Sequence, residues 1–307
     1  MNRHQQAIGT AVLAAFALLA PSFAQAQSFV ERTGRVVGDD FVDSEWLCTL
    51  TGVAGSFNAS GFDGGKQFVK VEHDEGLRKY FLVPSPKDNG RMACTRLNNF
   101  RRPAGSVFMR DNFKADVVNV LSGTDTTNMF FGDAFSMIHE MAGEFQSSKE
   151  YVSITHSTDP RAPSTIKVRV SDNATNWPAD TSSVRGIGHS IFMGNPSSHV
   201  LPKMIGYTEA AGLTRGTAAT NGVFEFQVST QSGFSGYWMA HTSPNLSTGG
   251  FCYFTALYGD FNDTGESASI VATNHPSSGQ MWFLSVARTG GGNGVFARAR
   301  CAAYDQR

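Results

Sequence analysis

Cys252-Tyr-Phe-Thr-Ala-Leu-Tyr-Gly259-Asp-Phe261-Asn262-Asp-Thr264-Gly265 has a counterpart near the start of the chain, Cys48-Thr-Leu-Thr-Gly-Val-Ala-Gly55-Ser-Phe57-Asn58-Ala-Ser60-Gly61. Both fit Cys-x6-Gly-x-Phe-Asn-x-[Ser/Thr]-Gly without a gap. Each stretch runs on through an aromatic segment, Lys79–Val83 in one and Met281–Val286 in the other, and each closes on a second cysteine, Cys94 or Cys301. Two units of about fifty residues therefore stand at the two ends of the chain. Equivalence of position selects the pairing Cys48–Cys94 and Cys252–Cys301 among the three that four cysteines allow. A bridge closing a loop of that length is worth ~4 kcal/mol in the chain-entropy account. These cysteines read as staples, because no Cys-x-x-Cys or His cluster accompanies them as a zinc site would require.

Outward from the repeat, the first 26 residues have the pattern of a cleaved secretory signal: a short basic start at Arg3 and His4, an apolar run over Ala7–Ala20, and Ala24-Gln25-Ala26 as the cleavage site. The run is shorter than the ~20 residues a membrane helix needs. A secreted or periplasmic location follows as the expectation, in a compartment that lets disulfides persist. The formal net charge is −1 and charged residues make up 17% of the chain, which gives no footing for nucleic acid as a partner. No later segment reads as a membrane span, and no motif calls for a cofactor.

The fold expected is mainly β. Residues 27–45 form a lead-in. Residues 46–97 and 250–307 form the two disulfide-stapled antiparallel β units. Residues 98–249 between them are large enough for a domain, read as β-sandwich-like with one short helix. Alternation marks the strands: in Val223–Thr230, Phe224, Phe226 and Val228 alternate with polar residues. The helix is expected over Ala134–Phe145, where Ala134, Ile138, Met141 and Phe145 share a helical face and Asp133 stands as cap. The two end units either flank the middle as beads or pack on each other with the middle as an insertion.

Functional candidates are sparse. His139-Glu140-Met-Ala-Gly-Glu144 has the opening of a zinc-protease helix, but Gly143 stands where the second histidine ligand belongs. Gly188-His189-Ser190-Ile-Phe192 has the opening of a hydrolase elbow, but Phe192 replaces the glycine the strained turn demands. Asp260, Asn262 and Asp263 place oxygen ligands before a turn glycine, as a hard cation prefers. The fifth loop position is Thr264, and the matching positions of the first unit, Ser56, Asn58 and Ser60, are uncharged, so the shared core reads as turn chemistry. Arg91, Arg96, Arg101, Arg102, Arg110 and Lys114 gather after the first unit as a basic junction. Tyr237, Trp238, Trp282 and Phe283 could line a sugar-stacking face, but most of them are expected in the core, Trp282 as part of a repeat strand, and Trp177 in Asn176-Trp-Pro178 is the candidate for exposure.

These readings favour an exported, non-enzymatic binding or surface-interaction protein. Its partner would be a glycan or cell-envelope polymer, held by Trp177, Arg101 and Arg102. A secreted hydrolase using His139, Glu140, Glu144, His189 and Ser190 is the alternative. A structural envelope or appendage component is the third.

Overall fold

The computed structural model describes residues 29–34, 41–57, 68–86, 88–100, 107–118, 123–131, 134–143, 145, 151–156, 165–172, 183–194, 217–219, 223–230, 232–261, 265–289 and 294–304. The expected signal segment lies outside them. The first strands are β1 (Phe29–Thr33), β2 (Trp46–Ala54), β3 (Phe68–Asp74), β4 (Lys79–Pro84) and β5 (Asn89–Arg96). The next are β6 (Val107–Val118), β7 (Gly123–Phe131), β8 (Ala134–Gly143), β9 (Tyr151–His156), β10 (Thr165–Asp172), β11 (Ser183–Gly194) and β12 (Thr217–Ala219). The last are β13 (Val223–Thr230), β14 (Gly233–His241), β15 (Gly250–Gly259), β16 (Ser267–His275), β17 (Gly279–Arg288) and β18 (Val295–Ala303).

They form three antiparallel sheets. The first runs β1-β5-β2-β16-β17-β14, the second β4-β3-β8-β11-β6, and the third β12-β13-β18-β15-β9-β10-β7. The mainly β expectation therefore holds. Each sheet draws strands from more than one of the stretches read above as separate units. β2 of the first unit pairs with β16 of the last, β3 pairs with β8 of the middle, and β9 of the middle pairs with β15. Residues 98–249 contribute β6 to β14, shared out over all three sheets.

The helix expected over Ala134–Phe145 is a strand, β8, and the described residues hold no helix beyond a 3-10 turn at Leu97–Asn99. The reason is burial on both faces. Met137 to Ala142 are all buried, so β8 lacks the alternation of a half-exposed strand, and its apolar residues happen also to satisfy a spacing of three and four. β2 and β15 are buried along almost their whole length in the same way.

Both disulfides form as paired from sequence, Cys48–Cys94 and Cys252–Cys301, each with Cα atoms 4.0 Å apart. Each bridge joins residues directly opposite in a strand pair, β2 with β5 and β15 with β18. Trp282 sits in the core, its Nε1–H donating to the Gly250 carbonyl at 2.8 Å and its ring packed on Phe29 and Phe251. The buried Tyr304 hydroxyl lies 3.0 Å from Thr95 Oγ1, tying the end of the chain to β5.

Three phenylalanines meet where the sheets come together. The Phe57 N–H donates to the Phe261 carbonyl (2.5 Å), Phe261 N–H to the Phe145 carbonyl (2.7 Å), and Phe145 N–H to the Phe57 carbonyl (2.7 Å). Their rings are fully buried and meet edge to face, with centroids 6.1, 6.1 and 6.3 Å apart. The closed ring of bonds satisfies three peptide donors that would otherwise be stranded in the interior.

Candidate functional site

The outer face of the first sheet carries an aromatic strip. Alternation along β17 sends Trp282, Leu284 and Val286 into the core and Phe283, Ser285 and Ala287 to the opposite face. The register sets Phe283 beside Val271 of β16 and Trp238 of β14, Ser285 beside Ser269 and Gly236, and Ala287 beside Ser267 and Phe234. Gly236 makes room for the strip. A Cβ there would stand 2.3 Å from the Phe283 ring, so the ring lies against bare backbone.

The rings then run in sequence. Phe234 stacks on Phe283 (6.0 Å, 22°), Phe283 packs on Trp238 (4.7 Å), and Trp238 meets His275 edge-on (4.9 Å). Phe234 is 64% exposed, on the edge strand of the first sheet. Beside the rings, Ser269 Oγ and Ser285 Oγ lie 2.8 Å apart. The strip offers flat apolar faces beside one part-buried hydroxyl, that of Ser269, whose partner Ser285 is itself buried.

The same register row continues from Ser269 to Gly52 of β2 and Arg91 of β5. A Cβ at Gly52 would lie 2.8 Å from Arg91 Cβ, so the arginine stem lies against bare backbone there. Arg91 Nη1 lies 3.5 Å from Glu31 Oε1, which also accepts the Ala272 N–H at 3.3 Å. Burial pushes the Glu31 carboxyl up, against the opposing pull of the Ala272 N–H and of Arg91.

The candidates read from sequence scatter. Trp238 and Phe283 belong to the strip, Tyr237 packs against the core, and Trp282 is wholly buried. Trp177, Arg101, Arg102, Glu144, Asn262 and Asp263 lie outside the described residues. His139 and Glu140 lie in β8 and are only 2% and 3% exposed. Burial lowers the His139 imidazole to about 3, with the charge of His73 acting the same way and backbone hydrogen bonds at Cys48 and Val71 opposing. It is neutral at any ordinary pH and shut off from solvent. In the β8–β11 register Ser190 faces Ser136 and His189 faces Met137, while His139 is the residue skipped at the register shift.

Asp260 is buried, with Oδ2 2.9 Å from Arg288 Nη2, and the buried Glu266 approaches the same nitrogen at 3.8 Å. Two carboxylates on one guanidinium explain these acids as an internal ion-pair cluster. Among the described residues no three His, Cys, Asp or Glu side chains gather as a metal site.

Two features escaped the sequence. Phe234 sits between Gly233 and Ser235, outside any obvious apolar run, and only the stacking on Phe283 marks it. His73 Nε2 lies 3.1 Å from Asp43 Oδ2, whose other oxygen is 3.2 Å from Arg78 Nη2. Thirty residues separate His73 from Asp43, with no local motif to join them. This pair is largely buried and abuts Tyr80, whose ring lies between those of His73 and His139. No protein-family model, curated protein or solved structure matches the chain.

Proposed function

We propose that the protein is an exported, non-enzymatic binding protein whose ligand is a glycan or cell-envelope polymer. The binding face is the strip Phe234–Phe283–Trp238 with the part-buried Ser269 hydroxyl, which the buried Ser285 holds in place. The observation that carries this reading is the exposed stacking of Phe234 on Phe283 beside that hydroxyl. Sugar rings present apolar C–H faces and equatorial hydroxyls together, and this surface answers both. The hydrolase alternative loses support from the burial of His139 and Glu140, since general acid–base work needs the group within reach of a substrate.

Retention on insoluble polysaccharide and isolated envelope material tests the reading. The unaltered protein is retained, and Phe234→Ala and Trp238→Ala lose retention by about tenfold or more, the scale expected when a stacking ring is removed at an interface. Retention unchanged in both variants, with the fold intact by circular dichroism, sinks the assignment of this face.

A further inference from the structure

One register recurs at three places in the chain. Counting back from Phe57, Phe145 and Phe261, the ninth residue is Cys48, Ser136 or Cys252, and it faces Cys94, Ser190 or Cys301. The fifth residue back is Gly52, Glu140 or Ala256, and it faces Arg91, Ile187 or Arg298 on one side. On the other side it faces Ser269, Lys70 or Ser153. Between these two positions each pair carries one register shift, and the residue skipped is Thr51, His139 or Thr255. All three skipped residues are buried.

The next strands follow suit. Ser269, Lys70 and Ser153 pair with Ser285, Val83 and Arg169. Four residues before those, Met281, Lys79 and Thr165 face His241, Val42 and Phe131. In every sheet the first and last strands of one set of four join the middle hairpin of another: β2 and β5 with β16 and β17, β8 and β11 with β3 and β4, β15 and β18 with β9 and β10. The assignment is cyclic, and so is the ring of hydrogen bonds among Phe57, Phe145 and Phe261.

We infer that the chain is three copies of one unit around a pseudo-threefold axis at Phe57, Phe145 and Phe261, and that Ser136 and Ser190 hold the place of a third disulfide. A chance fold would not repeat a bulge, a cross-strand pair and an inter-unit register at the same offsets three times. Register slips by one residue reverse every side chain, so each strand pair that keeps the shared offset is a constraint of its own. The sequence trace of the middle copy is Gly143-Glu-Phe145-Gln-Ser-Ser148, against Gly55-Ser-Phe57-Asn-Ala-Ser60 and Gly259-Asp-Phe261-Asn-Asp-Thr264. Loss of both cysteines hides it from any search anchored on them.

The double variant Ser136→Cys/Ser190→Cys, made in the full chain, tests the inference. Oxidised glutathione takes two electrons and two protons from the new thiol pair and leaves as two reduced glutathiones, while a sulfur–sulfur bond forms between positions 136 and 190. The result expected is a third bridge by non-reducing peptide mapping, both native bridges retained, and a raised melting temperature. Ser136→Cys/Ile187→Cys, out of register, should leave both new thiols open to alkylation. New thiols that stay free or pair with native cysteines in the Ser136→Cys/Ser190→Cys protein overturn the inference. Phe57→Leu, Phe145→Leu and Phe261→Leu give an independent reading. Comparable falls in melting temperature support the axis, and a variant with no fall breaks it.

Discussion

β2 and β8 occupy the same place in two copies of the unit, yet they carry different chemistry. Where β2 has Cys48, Thr51 and Gly52, β8 has Ser136, His139 and Glu140. The stapled strand keeps small neutral residues at its bulge, and β15, also stapled, has Cys252, Thr255 and Ala256. The unstapled strand buries an imidazole and a carboxyl at the same two positions. The backbone plan thus tolerates wide changes of side chain as long as the bulge, the register and the axial phenylalanine persist. The difference also predicts where the molecule fails first: the strand with buried titratable groups and no covalent brace is the one acid should open.

The largest effect expected lies there. The His139 pKa is lowered in the folded state to about 3, below the 6.5 of the unfolded chain, so its neutral burial stabilises fully above pH 6.5. That stability is lost as pH falls through 6.5 toward 3, because the unfolded chain takes up the proton first. At roughly 1.4 kcal/mol per unit the loss is on the order of 5 kcal/mol at the acid end. Urea unfolding at pH 7, 6, 5 and 4 should show His139→Leu losing much less than the unaltered protein over that span. Equal losses in the two proteins would remove the distinction drawn between β8 and β2.

Next in size is the staple. Cys48→Ala/Cys94→Ala closes off no loop in the unfolded state and should cost ~4 kcal/mol, while Ser136→Ala/Ser190→Ala, which breaks no covalent bond, should stay within ~1 kcal/mol. Chemical denaturation of both pairs checks the contrast. A smaller effect concerns ligand. At the register row of Gly52, Ser269, Ser285 and Gly236 in the first sheet, the second sheet has Glu140, Lys70 and Val83, with Lys70 held by Glu72 at 2.9 Å. Phe81 stands there where Phe283 stands in the first sheet, but β4 is the edge strand, so no neighbouring strand like β14 sets rings such as Phe234 and Trp238 beside it. Calorimetric titration with a soluble oligosaccharide should find one site per chain, weakened about tenfold by Trp238→Ala, worth ~1.4 kcal/mol, and unmoved by Lys70→Ala. Three equal sites would mean that the copies have kept a common function.

The smallest effect expected is at Glu31. Its folded pKa is raised by burial, so its contribution is fully present below the ordinary carboxylate value and lost as pH rises through the folded pKa. Glu31→Gln should flatten that part of the stability profile on the alkaline side of the carboxylate range. An unchanged slope would show that Arg91 and the Ala272 N–H already compensate the burial.

Much of this was legible in the residues. The cysteine spacing identified both bridges, because each pair stands opposite in a ladder. Alternation in Val223–Thr230 marked β13, where Phe226 and Val228 are buried and Gln227 and Ser229 exposed, and the aromatic run at Met281–Val286 marked β17. β8 was misread because burial on both faces erases period two. The middle copy went unseen because its staple is gone and Gln146 replaces asparagine. Trp238 and Phe283 were named as candidates, but Phe234 and the Ser269–Ser285 pair became visible only through the register that sets them side by side.

The central functional claim is that the strip on β14 and β17 meets a glycan, and amide and side-chain NMR of the titrated protein reads it directly. Addition of a soluble envelope oligosaccharide should shift Phe234, Trp238, Phe283, Ser269 and Ser285 together, and leave Lys70 and Val83 in place. Shifts centred on the second sheet, or none anywhere at millimolar sugar, would contradict the account.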